Sequence, residues 1–111
     1  MYLFRVMVEV THMKGTQLPL DCGGAFVSVY LRSSKIIDAI KKAEQELLND
    51  KYQPVRTIEA IEIDVEDLTY ENEEYTCEGD PESADLINIY NDGGLWYAAF
   101  NTFPSKESQL Q

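Results

Sequence analysis

The chain predicts an α+β fold, a two-layer sandwich in which one four-stranded sheet carries two helices on one face, in the order β-β-α-β-α-β. Two apolar periodicities and the chain length carry that expectation. Segments 2–11, 25–31, 55–65 and 95–103 place apolar residues at every second position, as strands do, and segments 34–49 and 81–92 place them three or four apart, as amphipathic helices do. With 111 residues there is room for one domain of about 100–150 residues, taken as 1–104 with a polar tail over 105–111.

In the first strand Tyr2, Phe4, Val6, Val8 and Val10 share a face, with Leu3, Arg5, Met7, Glu9 and Thr11 on the other. A connection over 12–24 follows, with Gly15, Pro19 and Gly23-Gly24. The second strand is apolar on both faces (Ala25, Val27, Val29, Leu31 against Phe26, Ser28, Tyr30), which suits a central position in its sheet. Ser33 and Ser34 are candidate caps for the first helix, whose stripe is Ile36, Ala39, Ile40, Ala43 and Leu47. In the third strand Glu59 falls on the apolar side and breaks the alternation, which predicts a bulge or a new start near Ala60.

Residues 66–80 are acidic and lack periodicity, which reads as a mobile loop. Asp80-Pro81-Glu82 is a helix start, with a capping carboxylate and then a proline at the first helical position. Leu86, Ile89 and Tyr90 form its stripe and Gly93-Gly94 stop it. The last strand sets Leu95, Tyr97, Ala99 and Phe103 against Trp96, Ala98 and Phe100.

Nine Lys and Arg stand against 20 Asp and Glu, a net charge of −11. That balance argues against a nucleic-acid partner. No apolar run reaches the ~18 residues of a membrane span, and Met1-Tyr2-Leu3-Phe4-Arg5 is unlike a secretion signal. A cytoplasmic protein with no membrane partner is the expectation. The charge is lopsided. Residues 1–55 hold seven bases and six acids, whereas 56–111 hold two bases and 14 acids. Between Glu59 and Asp85 there are 12 acids and no Lys or Arg. Carboxylates two apart on a strand lie ~6.6 Å apart, inside the ~8 Å screening length at physiological salt, so they repel one another unless bases fold over them.

Chemistry-bearing motifs are few. His12, Cys22 and Cys77 are the imidazole and thiols of the chain, and the cysteine spacing matches no zinc or redox motif. His12 and Cys22 border the same connection, so a Cys-His pair is possible, with an exposed histidine and an ordinary small thiol as the default. The acidic stretch 64–74 offers oxygen ligands for calcium or magnesium but lacks the loop spacing and the glycine of a dedicated site. Asp21-Cys22-Gly23-Gly24 and Asn91-Asp92-Gly93-Gly94 both precede strands, where turn geometry explains the glycines better than phosphate binding does. Carboxylate pairs such as Glu62/Asp64 and Glu73/Glu74 have no evident apolar pocket to split their pKa values. No catalytic residue, cofactor or metal site is assigned.

The stretch Gly23-Gly24-Ala25-Phe26-Val27-Ser28-Val29-Tyr30-Leu31, then Ser33-Ser34 and the Ile36, Ala39, Ala43, Leu47 helix, resembles a unit of small bacterial α/β proteins of unknown function. The acidic segment after the third strand and the closing aromatic strand from Trp96 to Pro104 extend that likeness. The strand–helix piece is also similar to antitoxins of the HicB type, although the second half departs from that pattern and shows no DNA-binding tail. The resemblance implies no activity.

The expectation for function is a non-enzymatic protein-binding module, of immunity-protein or antitoxin type, that engages a basic partner. Its candidate surface comprises Glu62, Asp64, Glu66, Asp67, Tyr70, Glu71, Glu73, Glu74 and Tyr75, because aromatic residues within a polar, acidic segment suit an interface. Two alternatives stand beside it. One is a small enzyme or ligand-binding domain with a pocket between sheet and helices, and the other a homo-oligomer whose acidic surface maintains solubility.

Overall fold

A long antiparallel pair of strands, the second of them apolar on both faces, organises the chain. The computed structural model describes residues 1–66 and 79–105. The elements run β1 (Tyr2–Thr11), β2 (Cys22–Ser33), α1 (Ile36–Asn49), β3 (Gln53–Ile63), α2 (Ser83–Asp92), β4 (Leu95–Tyr97) and β5 (Asn101–Pro104). β1 and β2 pair antiparallel from Tyr2 opposite Ser33 to Val10 opposite Ala25. That register sets Phe4, Val6 and Val8 beside Leu31, Val29 and Val27 on one face. α1 covers this face with Ala39, Ala43 and Leu47, and Leu18 from the β1–β2 connection joins the same core. Small alanines let the helix approach closely, and Leu47 fills the space at its far end.

The sheet is antiparallel, in the order β3-β1-β2-β4, with β5 also on β2. β3 lies beside β1 rather than β2. β2 and β3 therefore point the same way with β1 between them, and α1, which connects the two, packs across all three. As an edge strand β3 is irregular. Its register against β1 shifts twice, leaving Ile58 and Val55 as extra residues. The first shift adjoins Glu59, where the broken alternation predicts it. Bulges, Pro54 and charged side chains blunt an edge that would otherwise recruit another strand.

The α+β architecture is as the sequence predicts, but the helices do not share a face. Leu86 and Ile89 of α2 pack with Leu3, Tyr30 and Ile63. In the β1–β2 register Leu3 lies opposite Arg32 and Arg5 opposite Tyr30, so these side chains project from the face turned away from α1. The reason is visible in β2. Tyr30 and Leu31 are both buried, and a strand apolar on both sides needs a cover on both. Periodicity reveals a helix's stripe without saying which side of the sheet the stripe will meet.

The closing strand is also broken. β4 and β5 lie along the same β2, with Tyr97 opposite Val29 and Asn101 opposite Phe26. Three residues, 98–100, span the gap that Val27 and Ser28 occupy on β2, so one extra residue shifts the alternation. Phe100 consequently joins Tyr97 on the α1 side, while Phe103 crosses over and packs on Phe26 with ring centroids 5.1 Å apart.

Helix ends depart from expectation in detail. α1 starts after Lys35 with no side-chain cap, because Ser33 belongs to β2, opposite Tyr2. α2 starts after Glu82 rather than Asp80, with a reciprocal cap. The Glu82 carboxylate accepts the Asp85 N–H, and Asp85 Oδ2 accepts the Glu82 N–H at 3.0 Å. At its other end Gly93 adopts φ 86°, where a non-glycine residue is strained. The Arg32 guanidinium donates to the Tyr90 and Asn91 carbonyls at 3.3 and 2.9 Å, placing a cation at the negative end of the helix.

Tyr97 ties the end of α1 to the sheet by donating its hydroxyl hydrogen to Asp50 Oδ2 at 2.7 Å. Tyr97 and Tyr52 both pack on Phe100. Burial first, then the hydrogen bond to Asp50 and the negative charges of Asp50 and Glu46, push the Tyr97 pKa well above its ordinary value near 10. The unfolded chain therefore ionises first, so this contribution to stability is complete below about pH 10 and falls as pH rises beyond it.

Two measurements check this account. Leu47→Ala is expected to lower the unfolding free energy by about 2–5 kcal/mol in urea titrations, against less than about 0.5 kcal/mol for Leu20→Ala at an exposed turn. Tyr97→Phe is expected to cost about 0.5–1.5 kcal/mol at neutral pH and to flatten the alkaline loss of stability. Parallel decline of parent and variant above pH 10 would contradict the stated role of Tyr97.

Candidate functional site: the acidic end of the sheet

Where β3 ends, the chain leaves the sheet beside the start of β1, with Glu62 opposite Phe4 and Ile63 opposite Leu3. Ile63 turns inward against α2, while Glu62, Asp64 and Glu66 remain exposed. Asp64 Oδ1 accepts the Glu66 N–H at 3.0 Å, a local bond that turns the backbone out of the strand. The turn and the start of β1 enclose a shallow, open cleft of about 170 Å³. Met1, Tyr2, Val65 and Tyr90 supply its apolar wall, and Glu62, Asp64 and Glu66 its carboxylates.

The long acidic run does not act as one unit. Glu59 accepts a hydrogen bond from Arg5 Nη2 at 2.6 Å in an ion pair, and Arg56 pairs with Glu9 at 2.9 Å. Glu82 and Asp85 are occupied as the α2 cap. Glu62, Asp64 and Glu66 have no ion pair among the described residues, and the α1 lysines Lys41 and Lys42, themselves exposed, do not reach them. Three like charges thus lie within five residues on an exposed segment, in the regime where screening is incomplete. Open to water, they have no apolar enclosure of the kind that divides a carboxylate pair into acid and base. What they can do is attract a cation, while the neighbouring aromatic rings offer contact area.

Of the surface expected from the sequence, Glu62, Asp64 and Glu66 are therefore brought together around one cleft. Asp67, Tyr70, Glu71, Glu73, Glu74 and Tyr75 lie outside the described residues, as does most of the acidic stretch considered for calcium or magnesium. Met1 and Tyr2 join the site without having been singled out, and so does Tyr90, one of the tyrosines of the acidic half but not of the expected surface. Alternation and helical spacing assign Tyr2 and Tyr90 to buried stripes, yet both are exposed. The available signal was position, since each sits in the terminal turn or first residue of its element, where the covering layer runs out.

Elsewhere, His12 and Cys22 do meet. Cys22 Sγ lies 3.7 Å from His12 Nε2, and both face the Pro19 carbonyl. The Gly23-Gly24 pair is inside β2 rather than before it. A Cβ on Gly24 would stand 2.5 Å from the Val10 carbonyl oxygen and 2.8 Å from the Phe103 ring, so close packing explains it. The space above Gly93 is taken by the Arg32 guanidinium. Among the described residues no three His, Cys, Asp or Glu side chains are grouped to hold a metal ion. No described helix is long and apolar enough to cross a membrane.

Comparison with known proteins adds no relative: no family model, curated protein or solved structure matches this chain.

Proposed function

We propose that the chain is a cytoplasmic, non-enzymatic protein-binding module of the immunity-protein or antitoxin type, and that its acidic end docks on a basic partner. One observation carries the reading. Glu62, Asp64 and Glu66 stand exposed, without ion pairs among the described residues, around a cleft walled by Met1, Tyr2, Val65 and Tyr90. Charge of one sign at one end steers an oppositely charged partner during approach. The aromatic and aliphatic wall then supplies area that excludes water, and a lysine or arginine stem would lie along it with its charged head among the carboxylates. Nine bases against 20 acids over the whole chain act against nucleic acid as an alternative partner.

A lysine-rich peptide serves as the probe, titrated into the isotopically labelled protein and followed by backbone amide shifts. The largest perturbations are expected at residues 62–66, Tyr2 and Tyr90. Affinity should fall roughly tenfold or more between low and physiological salt, as screening shortens the reach of the field. The Glu62→Lys, Asp64→Lys, Glu66→Lys triple variant should lose the interaction while keeping its circular dichroism spectrum. Perturbations spread evenly over Asp21, Asp38, Asp50 and the acidic end alike would show a diffuse anion rather than a docking site, and would overturn the reading.

A further inference from the structure

β3 closes the sheet on one side, with β1 as its strand neighbour among the described residues. An edge strand turns a row of backbone N–H and C=O groups outward, where another strand can pair with them. The features that blunt this edge are confined to its first half. Pro54 and the extra residues Val55 and Ile58 lie before Glu59, whereas Glu59 to Ile63 pair one for one with Met7 to Leu3. No described segment outside the sheet makes a backbone hydrogen bond to residues 59–63.

Regular pairing leaves regular faces. Ala60 and Glu62 project on the α1 side, opposite Val6 and Phe4, and Glu59 and Ile61 project on the other side, opposite Met7 and Arg5. The Glu59 carboxylate is held by Arg5. Ile61 is 39% exposed, so the edge offers an apolar side chain on one face and the carboxylate of Glu62 on the other. The strand then runs directly into Asp64 and Glu66, which like Glu62 have no ion pair among the described residues.

We propose that residues 59–63 of β3 take up an extended segment of a basic partner as an added strand, one in which lysine or arginine alternates with aliphatic residues. The inference rests on the reading of the acidic end as a docking surface for a basic partner, and adds how that partner's backbone is held. Side chains directly across from one another on neighbouring strands interact. The basic positions of the added strand fall on the Glu62 face, and the aliphatic positions fall beside Ile61. Basic side chains at the end of the strand reach Asp64 and Glu66. Main-chain hydrogen bonds give affinity in strand addition of this kind, and the alternating side chains give specificity. A second copy of the chain is the competing occupant, and charge disfavours it. Two β3 edges paired antiparallel about Ile61 would set the Glu62 carboxylates of the two copies on diagonal positions of one face, ~7–8 Å apart and inside the ~8 Å screening length.

The test uses the full chain, isotopically labelled, at low salt, with a short peptide of alternating lysine and valine as the probe. In an extended peptide the lysine N–H groups point to one edge and the valine N–H groups to the other. Two further peptides therefore carry N-methyl groups, one on every lysine nitrogen and one on every valine nitrogen. One of the two is expected to bind about tenfold or more weaker than the unmethylated peptide, and the other within about twofold of it. The unmethylated peptide should also slow hydrogen exchange about tenfold or more at alternate amides between Glu59 and Ile63. Equal affinity of the two methylated forms, with the shifts at residues 62–66 retained, overturns strand addition and leaves the acidic end as a docking surface. Absence of shifts at 62–66 with every peptide overturns both readings. A free chain that sediments as a dimer, with the alternate β3 amides already protected, gives the edge to a second copy and likewise overturns the proposal.

Discussion

Everything in this fold follows from pairing β1 with β2, which builds a fully apolar face on one side and a partly apolar one on the other. Val6, Val8 and Val10 stand with Val27, Val29 and Leu31 on one face, and all are fully or almost fully buried. On the other face Leu3 and Tyr30 are buried as well. A single helical layer leaves one of these surfaces in water, at about 25 cal/mol for each Å² of apolar area. The chain resolves this with α1 on one side and the shorter α2 on the other, and the placement of nearly every other element is a consequence. α1 spans β2, β1 and β3, which brings β3 to the outer side of β1. α2 reaches only the end of the opposite face, where Leu3, Ile63 and Tyr30 meet Leu86 and Ile89.

That unequal cover explains where the polar groups settle. Beyond the reach of α2, the second face continues through Arg5, Met7 and Glu9 on β1 and through Arg56 and Glu59 on β3, and the two described ion pairs lie here. They are partly exposed, so each contributes little to stability, on the order of 0–1 kcal/mol. Their effect on the surface field is larger than their effect on folding. By consuming Glu59 and Glu9 they confine the uncompensated charge of β3 to its end, at Glu62 and the turn after it. The α2 cap likewise turns Glu82 and Asp85 into structural acceptors. A run that looks uniform in the sequence is thus divided by folding into paired, capping and free carboxylates.

Much of the architecture was legible because periodicity reports burial directly. The β1 alternation, the α1 stripe and the Gly93 stop each correspond to a physical demand that a few neighbouring residues express. The irregularity at Glu59 was legible for the same reason, since one misplaced charge shows where a register must slip. What could not be read depends on residues far apart in the chain. The side of the sheet that α2 meets is decided by Tyr30 and Leu3, 56 to 86 positions before Leu86 and Ile89. The extra residue between Tyr97 and Asn101 reverses the faces of Phe100 and Phe103, and only the β2 register reveals it. The acidic end was half legible. Composition located the charge, but the partners that remove Glu59, Glu82 and Asp85 from it, and the exposure of Tyr2 and Tyr90 beside it, emerge only when the strands are paired.

The two ends of β1 differ in how the fold makes them. At the acidic end the strands simply run out. Glu62 is the last exposed member of a paired strand, Ile63 is drawn inward, and the three carboxylates stay exposed, with no ion pair among the described residues. Such a surface is adaptable, and its selectivity comes from charge and from the aromatic wall rather than from fixed geometry. At the other end of β1 the chain is held tightly. The connection folds back so that the Pro19 carbonyl receives both His12 and Cys22, and Gly24 lets the β1 backbone and Phe103 close over the start of β2. The antiparallel pair supplies both an open and a closed end, because they are opposite ends of the same β1: one lies beside the β3 exit, the other beside the connection to β2.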